Sequence, residues 1–113
     1  MPTTISYGAL NEQRVSCTVR IDTDLASFET YGGEETFEKT IANEMGVDLK
    51  YIQVKDIRSG SVIVDYDIIS DKNNLLSIDD MKKKHDEVLK LGNLDLGGTI
   101  LSFKSGSDPE VIT

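Results

Sequence analysis

Two residue types with nucleophilic or acid–base chemistry occur once each in this chain, as Cys17 and His85. A cysteine beside a histidine can act as a nucleophile with its base. However, Cys17 lies on the apolar side of an alternating segment, and His85 lies in the apolar stripe of a predicted helix. We therefore interpret Cys17 as a small buried hydrophobic residue and His85 as a partly buried histidine, not as a catalytic pair.

A second group of side chains with possible chemistry is acidic and provides oxygen ligands of the kind that Ca²⁺ prefers. It comprises Asp65, Asp67, Asp71, Asn73, Asp79 and Asp80. The D-x-[DN]-x-[DN]-G frame of a calcium loop is absent, because the fifth position counted from Asp65 is Ile69. We expect no metal ion and no cofactor, and we keep a small-ligand or calcium-binding domain as an alternative interpretation.

The composition limits the partners of the chain. Its 113 residues include 12 basic and 20 acidic side chains, which gives a formal net charge of -8. This charge repels a nucleic acid backbone and an anionic lipid surface, so we expect neither partner. The first residues lack a basic patch followed by an apolar run. The expected location is cytoplasmic, or extracellular if the chain is an excerpt of a longer secreted or membrane protein.

Hydrophobic periodicity predicts the elements that must position these side chains. Strict alternation from Arg14 to Ile21 predicts a strand whose core face includes Cys17. Apolar stripes at helical spacing predict helices over 34–45 and 78–91, whereas residues 22–33 read as a loop. Residues 99–104 predict a last strand, with Leu101 and Phe103 on one face.

The central stretch, residues 51–69, has two β-branched runs joined through Arg58-Ser59-Gly60-Ser61. In the second run, apolar residues alternate with Asp65 and Asp67, which is typical of a half-buried strand. The first run changes phase at Ile57, so we predict a β-bulge near Lys55 and Asp56.

The element order is therefore β-α-β-β-α-β, which predicts an α+β fold of the ferredoxin-like type. We expect a four-stranded antiparallel sheet in the order 4-1-3-2, with two helices on one face. The predicted organisation is a flexible N-terminal arm over 1–13, one domain over 14–104 and a disordered C-terminal tail over 105–113.

The run Gly60-Ser61-Val62-Ile63-Val64 resembles the G-S-V-V-V motif of SEA domains, the modules found beside the membrane in cell-surface mucins and related receptors. Arg58 also matches, whereas Ser59 stands where a proline is common. In the cleaving family members, the serine hydroxyl attacks the preceding glycine carbonyl, and water hydrolyses the resulting ester. The resemblance thus implies Ser61 as the nucleophile and Gly60 as the residue whose carbonyl is attacked. We expect this bond to stay intact, because Ser59 and the slack of the bulge let the turn relax.

These observations favour a non-enzymatic structural or protein-interaction module with a SEA-like fold. The alternative is an autoproteolytic domain that cleaves between Gly60 and Ser61. The face of the sheet without helices is the predicted docking surface, and the edge strand 51–57 is an alternative surface for self-association. The predicted binding residues are Ile63, Asp65, Asp67, Ile69 and Arg20.

Overall fold

The computed structural model describes residues 12–91 and 94–112. Its strands are β1 (Gln13–Asp22), β2 (Ile52–Arg58), β3 (Val62–Ser70), β4 (Thr99–Ser105) and β5 (Val111–Ile112). Its helices are α1 (Leu25–Tyr31), α2 (Gly33–Met45) and α3 (Ile78–Leu91), and a 3₁₀ turn spans Leu49–Tyr51. The fold is therefore α+β, as the sequence predicts.

The strands form one antiparallel sheet in the order β2-β3-β1-β4-β5. This sheet has five strands instead of the four predicted. The fifth lies in the segment 105–113, which the sequence analysis expects to be disordered. The prediction of disorder is wrong for Val111 and Ile112, which form β5. This strand is held in place because Val111 packs against the core and Glu110 accepts a hydrogen bond from Ser102. Ser105 also belongs to β4 and is buried.

The predicted loop over 22–33 contains a helix, α1. Asp24 is its N-cap, because the Asp24 carboxylate accepts a hydrogen bond of 2.7 Å from the Ser27 backbone N–H. Phe28 is fully buried, and its ring centroid lies 6.3 Å from that of Phe37. With seven residues, α1 is too short to show a convincing helical stripe, so its sequence signal is the cap alone.

Helices α2 and α3 cover the same face of the sheet, because both contact the buried ring of Tyr66 in β3. The centroid of the Phe37 ring in α2 lies 5.1 Å from that of the Tyr66 ring, and the centroid of the His85 ring in α3 lies 5.5 Å from it.

The ends of these two helices carry recognisable signals. Gly46 ends α2 in the left-handed conformation, and the Ser77 hydroxyl accepts a hydrogen bond from the Asp80 N–H at the start of α3. Both helix ends are those that the sequence predicts.

Two irregularities adjust the register of the sheet. Between β2 and β3 the register shifts from Val54 to Asp56, so the predicted bulge at Lys55 is confirmed. A second shift between β1 and β4 leaves Leu101 unmatched. Ile100 and Phe103 are the buried apolar side chains of β4, whereas Leu101, at the irregularity, is only partly buried, so Leu101 and Phe103 do not form the regular pair that the sequence predicts.

The N-terminal arm predicted over 1–13 lies outside the described residues except for Glu12 and Gln13, and Gln13 already begins β1. Among the helices described here, none has the length and apolar character needed to cross a membrane.

Candidate functional site

The tip of the β2–β3 hairpin holds the Gly60–Ser61 peptide bond. Residues 59–61 form the turn and are all exposed. Gly60 has a φ of 108°, a conformation that glycine adopts readily, and a side chain at this position would meet no heavy atom within 4 Å. The turn is therefore open and uncrowded.

An acyl shift at this tip would need the Ser61 hydroxyl held against the Gly60 carbonyl. Across residues 12–91 and 94–112, no hydrogen bond fixes the Ser61 hydroxyl and no donor is positioned at the Gly60 carbonyl oxygen. The structure thus brings the two residues of the motif together in a turn, without the contacts that would orient them for attack.

The sheet face opposite the helices presents the predicted binding residues in cross-strand pairs. Arg20 lies opposite Ile63, and Arg14 lies opposite Ile69, in the register of β1 and β3. One row crosses all five strands at the hairpin end of this face. In sheet order, it comprises Arg58, Ile63, Arg20, Ser102 and Ile112.

Asp65 and Asp67 are held by ion pairs on this face. The Asp65 carboxylate accepts a hydrogen bond of 2.7 Å from Thr18 and lies 3.0 Å from the Arg58 guanidinium. Asp67 is only 3% exposed, and its carboxylate lies 3.0 Å from Arg14 and 3.4 Å from Lys55. Because both carboxylates have partners within the sheet, they contribute to its cohesion and are less available to an external ligand.

The apolar residues of this face differ in exposure. Ile63 is half-buried between the two arginines of its row, whereas Ile69 is only 6% exposed. Arg20 is exposed and makes no ion pair with any described residue. Of the predicted binding residues, Ile63, Asp65 and Arg20 therefore offer surface to a partner, whereas Asp67 and Ile69 are covered.

The edge strand β2, predicted as an alternative docking surface, is protected. The outward backbone N–H of Val54 donates to the Glu38 carboxylate of α2 at 2.8 Å. The bulge at Lys55 follows directly, and a bulge interrupts a regular edge. A side-chain cap, a bulge and charged residues are the devices that keep an edge strand from pairing with another chain. The geometry therefore disfavours self-association through β2.

A polar cluster lies inside the core, around His85. The Tyr66 hydroxyl lies 2.5 Å from Nε2 of His85, and the Asp86 carboxylate lies 3.0 Å from Nδ1. Ser105 Oγ lies 3.2 Å from the same Nδ1 and donates to Asp86 at 2.5 Å. His85 is completely buried, so the prediction of a partly buried histidine understates its burial.

Burial and hydrogen bonding set the protonation states of this cluster and of Cys17 beside it. Burial raises the pKa of the Cys17 thiol to about 12, so it is not a thiolate at neutral pH. Burial also raises the pKa of the Tyr66 phenol well above its ordinary value. At Asp86, burial alone would raise the carboxyl pKa, but hydrogen bonds from His85 and Ser105 outweigh it and lower that pKa to about 2.

With Ser105 as the nucleophile, the cluster lacks the layout of a nucleophile–base–acid triad. In a triad, the nucleophile and the carboxylate contact opposite nitrogens of the imidazole. Here Ser105 and Asp86 share Nδ1, and Tyr66 occupies Nε2. Sequence reasoning found His85 but missed Tyr66, Asp86 and Ser105; the adjacency of Asp86 to His85 was the one available signal.

Open clefts lie on the surface of the described part of the chain. One of about 420 Å³ is lined by Arg14, Tyr51 and Ile69, and one of about 520 Å³ by Met45, Val47 and Leu76. In the described part of the chain, no three His, Cys, Asp or Glu side chains gather in a way that could hold a metal ion.

No family model, no curated protein and no solved structure matches this chain.

Proposed function

We propose that this protein is a non-enzymatic interaction module that binds a partner protein through the face of its sheet opposite α2 and α3. The observation that carries the proposal is the row at the hairpin end, where half-buried Ile63 lies between Arg20 and Arg58. Arginine is enriched at protein interfaces, and an apolar side chain beside it can be buried when a partner binds. The burial of Tyr66 and His85 in the core supports a non-enzymatic function.

We further propose that the fold is a ferredoxin-like split βαβ arrangement with β5 added beside β4, and that its hairpin is of the SEA type. The support for the SEA-like assignment is the motif Gly60–Val64 at the turn between β2 and β3. Autoprocessing is the second candidate function. The positive φ of Gly60 at an exposed tip is compatible with it, but the unrestrained Ser61 hydroxyl favours an intact bond.

Parallel affinity capture with matched variants tests the proposal. The wild-type chain, Ile63→Glu, Arg20→Glu and the control Lys83→Glu would each be immobilised and incubated with the same cell extract. Lys83 is exposed on α3, on the opposite side of the domain. The proposal expects a protein that the wild type and the control retain and that both free-face variants lose. Equal retention by all four proteins would refute it.

A further inference from the structure

The outer side of β4 is occupied by the shortest strand of the sheet. β5 has two residues, and the described register pairs them with β4 as Ile112 opposite Ser102 and Val111 opposite Phe103. β4 itself has seven residues. Strand β5 therefore pairs with only two of the seven residues of β4 in the described register.

Side-chain contacts hold the tail in this place. The Glu110 carboxylate accepts a hydrogen bond of 2.6 Å from the Ser102 hydroxyl, and Asp108 forms an ion pair with Lys82 of α3. Val111 is partly buried against the core, whereas Ile112 is 80% exposed. The position therefore holds a carboxylate followed by one β-branched residue packed against the core.

The tail's own geometry limits its pairing with β4. The chain turns directly after β4, with Gly106 at a φ of 59° and the Asp108 N–H donating to the Ser105 carbonyl at 3.1 Å. Pro109, just before β5, has no N–H to donate to a ladder. A separate extended segment would not need this turn, so it could also run beside Lys104 and Ser105.

We propose that the outer edge of β4 is a binding site for an extended segment of a partner protein, and that residues 106–112 occupy it as a displaceable internal competitor. The segment would present a carboxylate to Ser102 and a β-branched residue at the position of Val111, without a proline at the position of Pro109. This surface meets the free sheet face at Ser102, which lies two strands away from Ile63. The opposite edge, β2, is closed by Glu38 and the bulge, so strand addition is expected at β4.

A foreign segment fits this site better than the tail of a second copy. Exchange of identical tails between two copies would recreate the same two residue pairs and would cost translational freedom. A foreign segment can form additional backbone pairs with Lys104 and Ser105, which the internal tail cannot form because it turns at Gly106. Its binding is opposed by the high effective concentration of that tail, so loosening the tail should expose the site.

The test is the fluorescence anisotropy of a labelled synthetic peptide that carries residues 106–112 with Pro109→Thr. We expect the full chain with Asp108→Ala and Glu110→Ala to bind this peptide about tenfold more tightly than the wild type, because the internal competitor is weakened. The same peptide with Val111→Asp should not bind. Absence of binding to both proteins, or equal binding of the Val111→Asp peptide, would overturn the proposal.

Two controls distinguish binding at the β4 edge from binding at the free sheet face and from self-association. Ile63→Glu, on the free sheet face, should change the affinity for the peptide by less than about twofold, whatever its effect on the partner of that face. Sedimentation of the wild type should show a monomer. A dimer that disappears when Glu110 is replaced by alanine would show that the edge takes a second copy, and would overturn the assignment to a foreign segment.

Discussion

Tyr66 of β3 and His85 of α3 meet in the centre of the core, where the Tyr66 hydroxyl lies 2.5 Å from Nε2 of His85 and neither residue is more than 1% exposed. The side chains best suited to acid–base chemistry are therefore used to join α3 to the sheet. We propose the exposed sheet face and the β4 edge as the surfaces that contact other molecules.

Replacing Tyr66 with phenylalanine should lower the free energy of unfolding by about 1–3 kcal/mol. The substitution keeps the ring but leaves Nε2 of the buried imidazole without a hydrogen-bond partner. Urea denaturation measures the loss. The control is Tyr31→Phe, which removes a less buried hydroxyl that lies 2.8 Å from the Asp95 carbonyl; equal losses for the two variants would contradict the account.

Asp86 should make stability depend on pH in the acid range. Its carboxyl pKa is lowered from 3.8 to about 2, so the folded state binds the proton less well than the unfolded state. The stabilisation is complete above pH 4 and is lost as the pH falls towards 2, and it amounts to about 1–2 kcal/mol because solvent screens this partly exposed group. We expect urea titrations between pH 6 and pH 2 to show a smaller loss in Asp86→Asn than in the wild type. Glu87→Gln, an exposed neighbour on α3, serves as the control and should retain the wild-type loss.

Three glutamate substitutions along β3 test the assignment of its faces. Val64→Glu should prevent folding, because it places a charge in the core, where Val64 is fully buried. Ile63→Glu should cost only about 1 kcal/mol, since Ile63 is half-buried and the new carboxylate would lie between two arginines. Ile69→Glu should cost more than Ile63→Glu. Circular dichroism with thermal unfolding ranks the variants, and equal stability of the first two would show that the faces are wrongly assigned.

The Gly60–Ser61 bond should remain intact in the folded protein. Among the residues that the structure describes, none holds the Ser61 hydroxyl for attack, and Gly60 adopts its φ of 108° without strain. Intact mass after one day at neutral pH should show a single chain. Fragments that divide between these residues, and that Ser61→Ala abolishes, would make autoprocessing the leading function.

Much of the fold follows from local patterns in the sequence. The alternation in β1 and β3 identifies the buried face because each has one apolar side, and the phase change at Ile57 locates the bulge. By contrast, α1 depends on the Asp24 cap and the buried Phe28 ring. Strand β5 depends on the hydrogen bond between Glu110 and Ser102 and on the packing of Val111 against the core. Such short elements gain their stability from tertiary packing, which a local pattern does not contain.

The candidate site was predictable in part. Alternation placed Ile63 and Arg20 on one face, and the register confirms that they are opposite each other. Alternation also placed Ile69 on that face, but it could not show that Ile69 is covered. Likewise, no spacing rule brings Ser105 to Asp86, because the contact joins β4 to α3 across 19 positions.

The binding constant of the partner identified by affinity capture tests the central claim most directly. It would be measured by titration calorimetry against the wild type, Ile63→Glu and Lys83→Glu. Replacing a hot-spot residue at the centre of an interface costs about 2 kcal/mol or more, so we expect Ile63→Glu to bind the partner at least about tenfold more weakly than the wild type. Lys83→Glu should stay within about twofold. An unchanged affinity for a folded Ile63→Glu protein would contradict the assignment of the free sheet face as the binding surface.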